Sequence, residues 1–179
     1  MSRVVTPECV ISYPALFVPR AMAEGQEPKY SLEMIFGEEA DLTELRRAAS
    51  EVAKAKWGSK IPKNMRSPFR DGSTDREGKP EYEDKIFISA RSKSRPIVVR
   101  GPDRLLVEPE DAAEVYGGCI CRVNVTPFAY DRAGNCGVSF FLNSVWVISR
   151  GTPFGGGGGS ADGFDGVEVD ADAFGATPF

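Results

Sequence analysis

Residues 119–149 hold two long runs of alternating character, CICRVNVTPFAY (119–130) and GVSFFLNSVWVIS (137–149), with only DRAGNC between them. No other feature restricts the fold as much. Period-two alternation of this length is a strand pattern, and Asp131, Gly134 and Asn135 supply the turn chemistry that folds the two runs into a hairpin. In the second run Phe140, Leu142 and Trp146 alternate and are read as core. In the first, Arg122 interrupts the apolar character on the face of Ile120 and Asn124. Burying an unpaired arginine is expensive, so that face is expected to open onto solvent or a ligand.

The rest of the chain adds strands and one helix. CVISYPALFV (9–18) reads as a strand broken at Pro14. KYSLEMIF (29–36) puts Tyr30, Leu32, Met34 and Phe36 on one face, as a half-buried strand does. DLTELRRAASEVAKAKWG (41–58) changes period. Asp41 is placed to cap a helix with Glu44 in capping-box position, Leu42, Leu45, Ala49 and Val52 form a stripe, and Gly58 is a stop. KIFISARSK (85–93) and RPIVVRG (95–101) read as strands, and PEDAAEVYGG (109–118) as a helical turn. Residues 59–84, rich in Pro, Gly and charge, read as a long, basic, partly mobile loop. Five or six strands with one substantial helix predict a mainly β fold, an OB-fold-like five-stranded Greek-key barrel, over residues 1–150. Periodicity does not separate this from a β-sandwich. Residues 151–179 are expected to be a flexible, disordered Gly-rich linker and acidic C-terminal tail.

Several function classes find no support. No stretch approaches the roughly 20 apolar residues of a membrane span, and MSRVVTPECV lacks a signal-peptide core, so a cytoplasmic protein is expected. Cys9, Cys119, Cys121 and Cys136 are scattered and histidine is absent, which argues for reduced thiols and against a metal site or a cofactor. Acid–base and triad chemistry lack their usual agent, and there is no phosphate-binding G-x-x-x-x-G-K-[ST] loop. Asp71, Glu83 and Lys85 superficially match the carboxylate–carboxylate–lysine set of metal-dependent nucleases, but no helix is placed to complete such a site. The chain reads as a non-enzyme.

Charge is unevenly spread. The net of −4 conceals fourteen Lys or Arg against seven Asp or Glu between Lys54 and Arg104, and a tail with five acids (Asp162, Asp165, Glu168, Asp170 and Asp172) and no base. A basic stripe beside an acidic tail suits a nucleic-acid binder, because phosphate contacts dominate such affinities. Gripping unpaired strands requires cations along the backbone and flat side chains for the bases. The aromatic candidates are Tyr13 and Phe17 around Pro14, Tyr30 after Lys29, Phe87 on a strand face shared with Ser89 and Arg91, Tyr116 before the paired glycines, and Tyr130 at the hairpin tip. The cationic candidates are Lys29, Lys60, Lys63, Arg66, Arg70, Arg91, Lys93, Arg95 and Arg122.

The segments SYPALFVP, PKYSLEMIF, AKAKWGSKIP, PFRDGS, FISARSKSRPIVV and EVYGGCICRVNVTPFAYDRAGNCGVSFFLNSVWV, in this order over about residues 3 to 150, resemble phage-encoded single-stranded-DNA-binding proteins. The resemblance implies an OB-fold protein that protects exposed strands in replication, recombination and repair. The tail resembles the tips of bacterial single-strand binders, which end in acids followed by Pro-Phe. Pro178 and Phe179 match, whereas the carboxylates are spaced and stop at Asp172. The partners this implies are single-stranded DNA and, through the tail, replication or recombination proteins. Apolar edge strands also allow a homodimer. A strand-annealing mediator and a phage structural or adaptor protein are the alternatives.

Overall fold

The computed structural model describes residues 3–154; the tail residues singled out above lie outside that range. Nine strands and two α-helices follow one another as β1 (Val4–Val5), β2 (Cys9–Arg20), β3 (Lys29–Phe36), α1 (Thr43–Trp57), β4 (Arg70–Asp71), α2 (Gly72–Asp75), β5 (Ile86–Ser92), β6 (Ile97–Arg100), β7 (Leu105–Leu106), β8 (Ile120–Arg132) and β9 (Asn135–Ser149). Two 3₁₀ turns, Pro80–Tyr82 and Pro109–Glu114, lie in the connections.

Five strands close on themselves. β2 pairs antiparallel with β3, β3 with β5, β8 with β9 and β8 with β2, while β5 and β9 run parallel. Numbering only these five in chain order gives the circuit 1-2-3-5-4-1, a closed Greek-key barrel of the OB type. Inward-facing Ile11, Leu32, Met34, Ile88, Ala90, Val123, Val125 and Phe140 are fully or almost fully buried and form the core. Helix α1 lays Leu45, Ala49 and Ala53 onto it, and full burial of a side chain such as Leu45 contributes about 1.5–3 kcal/mol. Asp41 Oδ1 accepts the Thr43 N–H at 3.0 Å, which holds its carboxyl below the usual carboxylate range. The capping box is not completed, because Glu44 turns to Arg47 instead. Gly58, at φ 61°, ends the helix with its N–H on the Lys54 carbonyl.

Three features differ from the sequence reading. The segment after the helix is partly built into the fold. The Arg66 N–H donates to the Cys136 carbonyl and the Val138 N–H to the Arg66 carbonyl, so this stretch pairs in parallel with β9, and β4 then pairs with β5. Second, β9 carries a bulge: Val125 faces Leu142 but Asn124 faces Ser144, leaving Asn143 as the extra residue. The bulge reverses the alternation, so Val145 and Val147 point inward and Trp146 lies half-exposed on the outer face. There its indole N–H donates to the Gly101 carbonyl, and Arg104 lies over the ring. Third, the hairpin turn uses Ala133 at φ 49° besides Gly134 at φ 85°. The break near Pro14 is a bulge as well, with Tyr13 at φ 47° and the register shifting between Ser12 and Ala15.

Candidate nucleic-acid interface

The outer face of the barrel gathers the side chains that alternate with the core. From β8 come Arg122, Asn124, Thr126, Phe128 and Tyr130, all half-buried, and from β9 come Ser139, Phe141 and Asn143. Phe128 and Phe141 stack with ring centroids 4.0 Å apart and planes at 20°, and Tyr130 continues the row 6.3 Å from Phe128. Phe141 is 43% exposed, large for a phenylalanine in the middle of a strand. Gly137 makes room for this row, because a Cβ there would lie 2.6 Å from the Tyr130 hydroxyl and 2.8 Å from the Arg66 carbonyl oxygen.

Cations flank the rings on both sides. The parallel β5–β9 register sets Arg91 beside Phe141, and the Arg66–Gly137 bridge sets Arg66 beside the Tyr130 end. Arg66 and Arg91 thus lie about four β9 residues apart, roughly 13 Å at the rise of a strand. On the far side, extending the β1–β8 register by one residue brings Arg3 next to Thr126. Arg3, Arg95, Asn124, Thr126, Phe141 and Asn143 share an open groove of about 460 Å³ with Ser92, Ser94, Ile97 and Ser144. Among the described residues, Arg3, Arg66, Arg91 and Arg95 take part in none of the ion pairs, so their charge is available to an anion.

The remaining sequence candidates fall elsewhere. Phe87 is a correction: it faces outward from β5, as expected, yet is completely buried. Tyr82, from the supposedly mobile loop, packs edge-on against it at 5.2 Å, and the Arg70 and Arg76 guanidiniums each lie 4.8 Å from the ring. No face of Phe87 remains for a base. Arg70 is occupied by Phe87 and by Asp75 at 3.1 Å. Arg76 grips Glu33 through two hydrogen bonds of 3.1 Å, and the Tyr82 hydroxyl donates to the same carboxylate. This clamp holds the 72–82 segment over the β3–β5 surface. Asp71, considered above as a metal ligand, instead accepts the Ser73 N–H and the Thr74 hydroxyl at the start of α2.

Phe17 packs against the core. The Tyr116 hydroxyl donates to the Gly151 carbonyl at 2.7 Å, which makes Tyr116 a strut for the chain leaving the barrel. Tyr13 is 44% exposed at its bulge with the Lys79 ammonium 4.4 Å from the ring. Lys29 and Tyr30 are half-buried at the start of β3, where Tyr30 faces Ser92. Lys60 and Lys63 are exposed beyond α1, and Lys93 makes a loose, exposed contact with Glu27 at 3.5 Å. The face therefore unites Arg66, Arg91, Arg95, Arg122 and Tyr130 from the sequence set, and adds Arg3, Phe128 and Phe141. A signal for the two phenylalanines existed. Continuing the Arg122–Asn124 face by twos reaches Phe128, and a core Phe140 requires Phe141 to point outward.

Among the described residues, no helix is long and apolar enough to cross a membrane and no cluster of three metal-ligating side chains occurs. The four thiols are buried; burial pushes Cys9 up to about 12 and Cys121 well above the ordinary thiol range.

Comparison with known proteins places this barrel. The chain is similar to a single-stranded DNA-binding protein from bacteriophage Enc34 solved in complex with ssDNA, with a TM-score of 0.72 and 27% identity over 86% of this chain and 89% of that one. It is 27% identical to the putative protein p50 of Acyrthosiphon pisum secondary endosymbiont phage 1, over 89% of this chain and 90% of the relative. The fold is also that of gp2.5, a single-stranded DNA binding protein encoded by bacteriophage T7, with a TM-score of 0.62 at 13% identity over 98% of this chain and 99% of that one. The family model for the ssDNA-binding protein of Enterobacter phage Enc34 matches residues 2–174, and the chain belongs to that family.

Proposed function

We propose that this protein binds single-stranded DNA with little regard to sequence and without catalysis, along the outer face of β8 and β9. The observation that carries the reading is the Phe128–Phe141 stack with Tyr130 beside it, bordered by Arg66, Arg91 and Arg95 along the β9 edge and by Arg3 beyond β8. Rings offer a surface to any base, and the arginines follow the phosphates. The family relationship, and a relative solved in complex with ssDNA, support the same conclusion. Lys29, Lys60, Lys63 and Lys93 are secondary contacts that extend the basic surface, and Tyr13 and Tyr30 are secondary aromatic contacts. In the cell the protein protects exposed strands during phage replication, recombination and repair.

The acidic tail belongs to the same reading. Twenty-five residues of Gly-rich chain reach roughly 25–30 Å. Asp162, Asp165, Glu168, Asp170 and Asp172 then compete with phosphate for the basic face, and DNA frees the tail so that Pro178 and Phe179 can dock on a replication or recombination protein.

A titration of fluorescent oligothymidylate at several salt concentrations tests the proposal. Binding that weakens steeply with salt is expected. No binding in dilute buffer, with or without residues 160–179, would refute it. Accelerated pairing of complementary strands would add annealing to the activity.

A further inference from the structure

We propose that the carboxamides of Asn143 and Asn124 act together to read the Watson–Crick edge of an unpaired base, whichever base it is. The inference rests on the single-strand-binding reading above and supplies a reason why the groove selects unpaired strands.

The β9 bulge lifts Asn143 out of the ladder. Its Nδ2 donates to Asn124 Oδ1 at 3.0 Å and to Thr126 Oγ1 at 2.8 Å. Both N–H groups of Asn143 are thereby used, while its Oδ1 and the Asn124 Nδ2 have no partner among the described residues. Neither is a buried orphan, since the Trp57 indole nitrogen alone has that status there, so both reach solvent in the groove. The pair thus presents an acceptor beside a donor. If both amides turn by 180° and the Thr126 hydroxyl donates instead of accepting, the internal bonds survive with the polarity reversed. In either state one donor stands beside one acceptor.

Every base carries the complement on its Watson–Crick edge. Adenine and cytosine have an amine next to a ring acceptor, and guanine and thymine have a carbonyl next to a ring N–H. A paired amide that can reverse matches both kinds, and a duplex has that edge already occupied. The groove is suited to seat one such base. Phe128 covers one face of Phe141, so Phe141 turns its other face and edge to the groove, and Arg3 and Arg95 wait on its wall for phosphate.

The test uses the full chain and three probes at one salt concentration: a short oligothymidylate, the same strand built from N3-methylthymidine, and a duplex of equal length. Methylation blocks the Watson–Crick edge and leaves the phosphates and the ring faces in place. The native protein is expected to bind the methylated strand about tenfold more weakly, a modest value for a paired base contact. Asn143→Leu and Asn124→Leu should lose about the same factor on the plain strand, cease to distinguish the two strands, and bind duplex as before. Equal affinity of the native protein for the two strands would overturn this inference alone and requires no variant to fold. Persistence of the preference in a folded Asn143→Leu protein would overturn it too. Failure to bind oligothymidylate at all would remove both this inference and the single-strand reading.

Discussion

Adjacent phenylalanines on opposite faces of β9 provide a controlled experiment. Phe141 is 43% exposed and its ring touches mainly Phe128, whereas Phe140 is completely buried beneath α1 and Phe69. In Phe141→Ala the fold loses one stacked pair and a partly covered ring, about 1–2 kcal/mol. The bound strand loses a stacking partner worth roughly 1–3 kcal/mol, about a 5- to 150-fold weakening. Because no charge is removed, the dependence of log affinity on log salt should keep its slope. Phe140→Ala reverses the pattern. Its cavity destabilises the barrel by about 3–5 kcal/mol, while the molecules that remain folded bind with native affinity. Urea unfolding gives the first quantity and fluorescence anisotropy with oligothymidylate the second. A Phe141→Ala protein that stays folded and binds like the native chain would show that the stacked pair is not the platform for bases.

Other outcomes follow from the same structure. Arg91→Ala or Arg66→Ala should each lower the magnitude of the salt slope by about 0.7, the value for one phosphate contact on a single strand, as measured by titration from low to moderate salt. Deleting residues 160–179 should tighten oligothymidylate binding at low salt and have little effect at high salt; unchanged or weaker binding at low salt would count against tail competition. Glu33→Ala strands Arg76, whose side chain is only 25% exposed, and should lower stability by about 2–3 kcal/mol in urea titrations. Raising the pH should also destabilise the fold. Cys9 and Cys121 keep their protons in the folded chain after the unfolded chain has released them, so their contribution is complete below about pH 8.5, that of Cys9 being lost on the way to about 12 and that of Cys121 at still higher pH. Cys9→Ala should therefore flatten the decline seen in urea midpoints between about pH 8 and 11.

Most of the barrel could be read from local pattern. Apolar or alternating runs identified all five barrel strands and the stripe of Leu45 and Ala49 identified α1, because a residue's side of a strand or helix is a property of its own neighbours. The outward aim of Arg122, Arg91 and Phe87 was legible for the same reason. What happens to an outward side chain afterwards is not local. Phe87 and Tyr130 both leave the barrel surface, yet Tyr82 and Arg76 come from a distant, patternless stretch to seal Phe87, whereas among the described residues no such segment seals Tyr130, which stays half-buried. A single inserted residue, Asn143, reversed the facing of Trp146, and alternation cannot announce a bulge whose extra residue is itself plausible in a strand. Arg3, Arg66 and Arg91, far apart in sequence, acquire a common purpose only through the β1–β8 register, the Arg66–Gly137 bridge and the parallel β5–β9 contact. Strand identity is settled by neighbouring residues through backbone geometry, whereas the binding face is settled by which remote segments pair or cover, a competition among long-range contacts that only the closed barrel resolves.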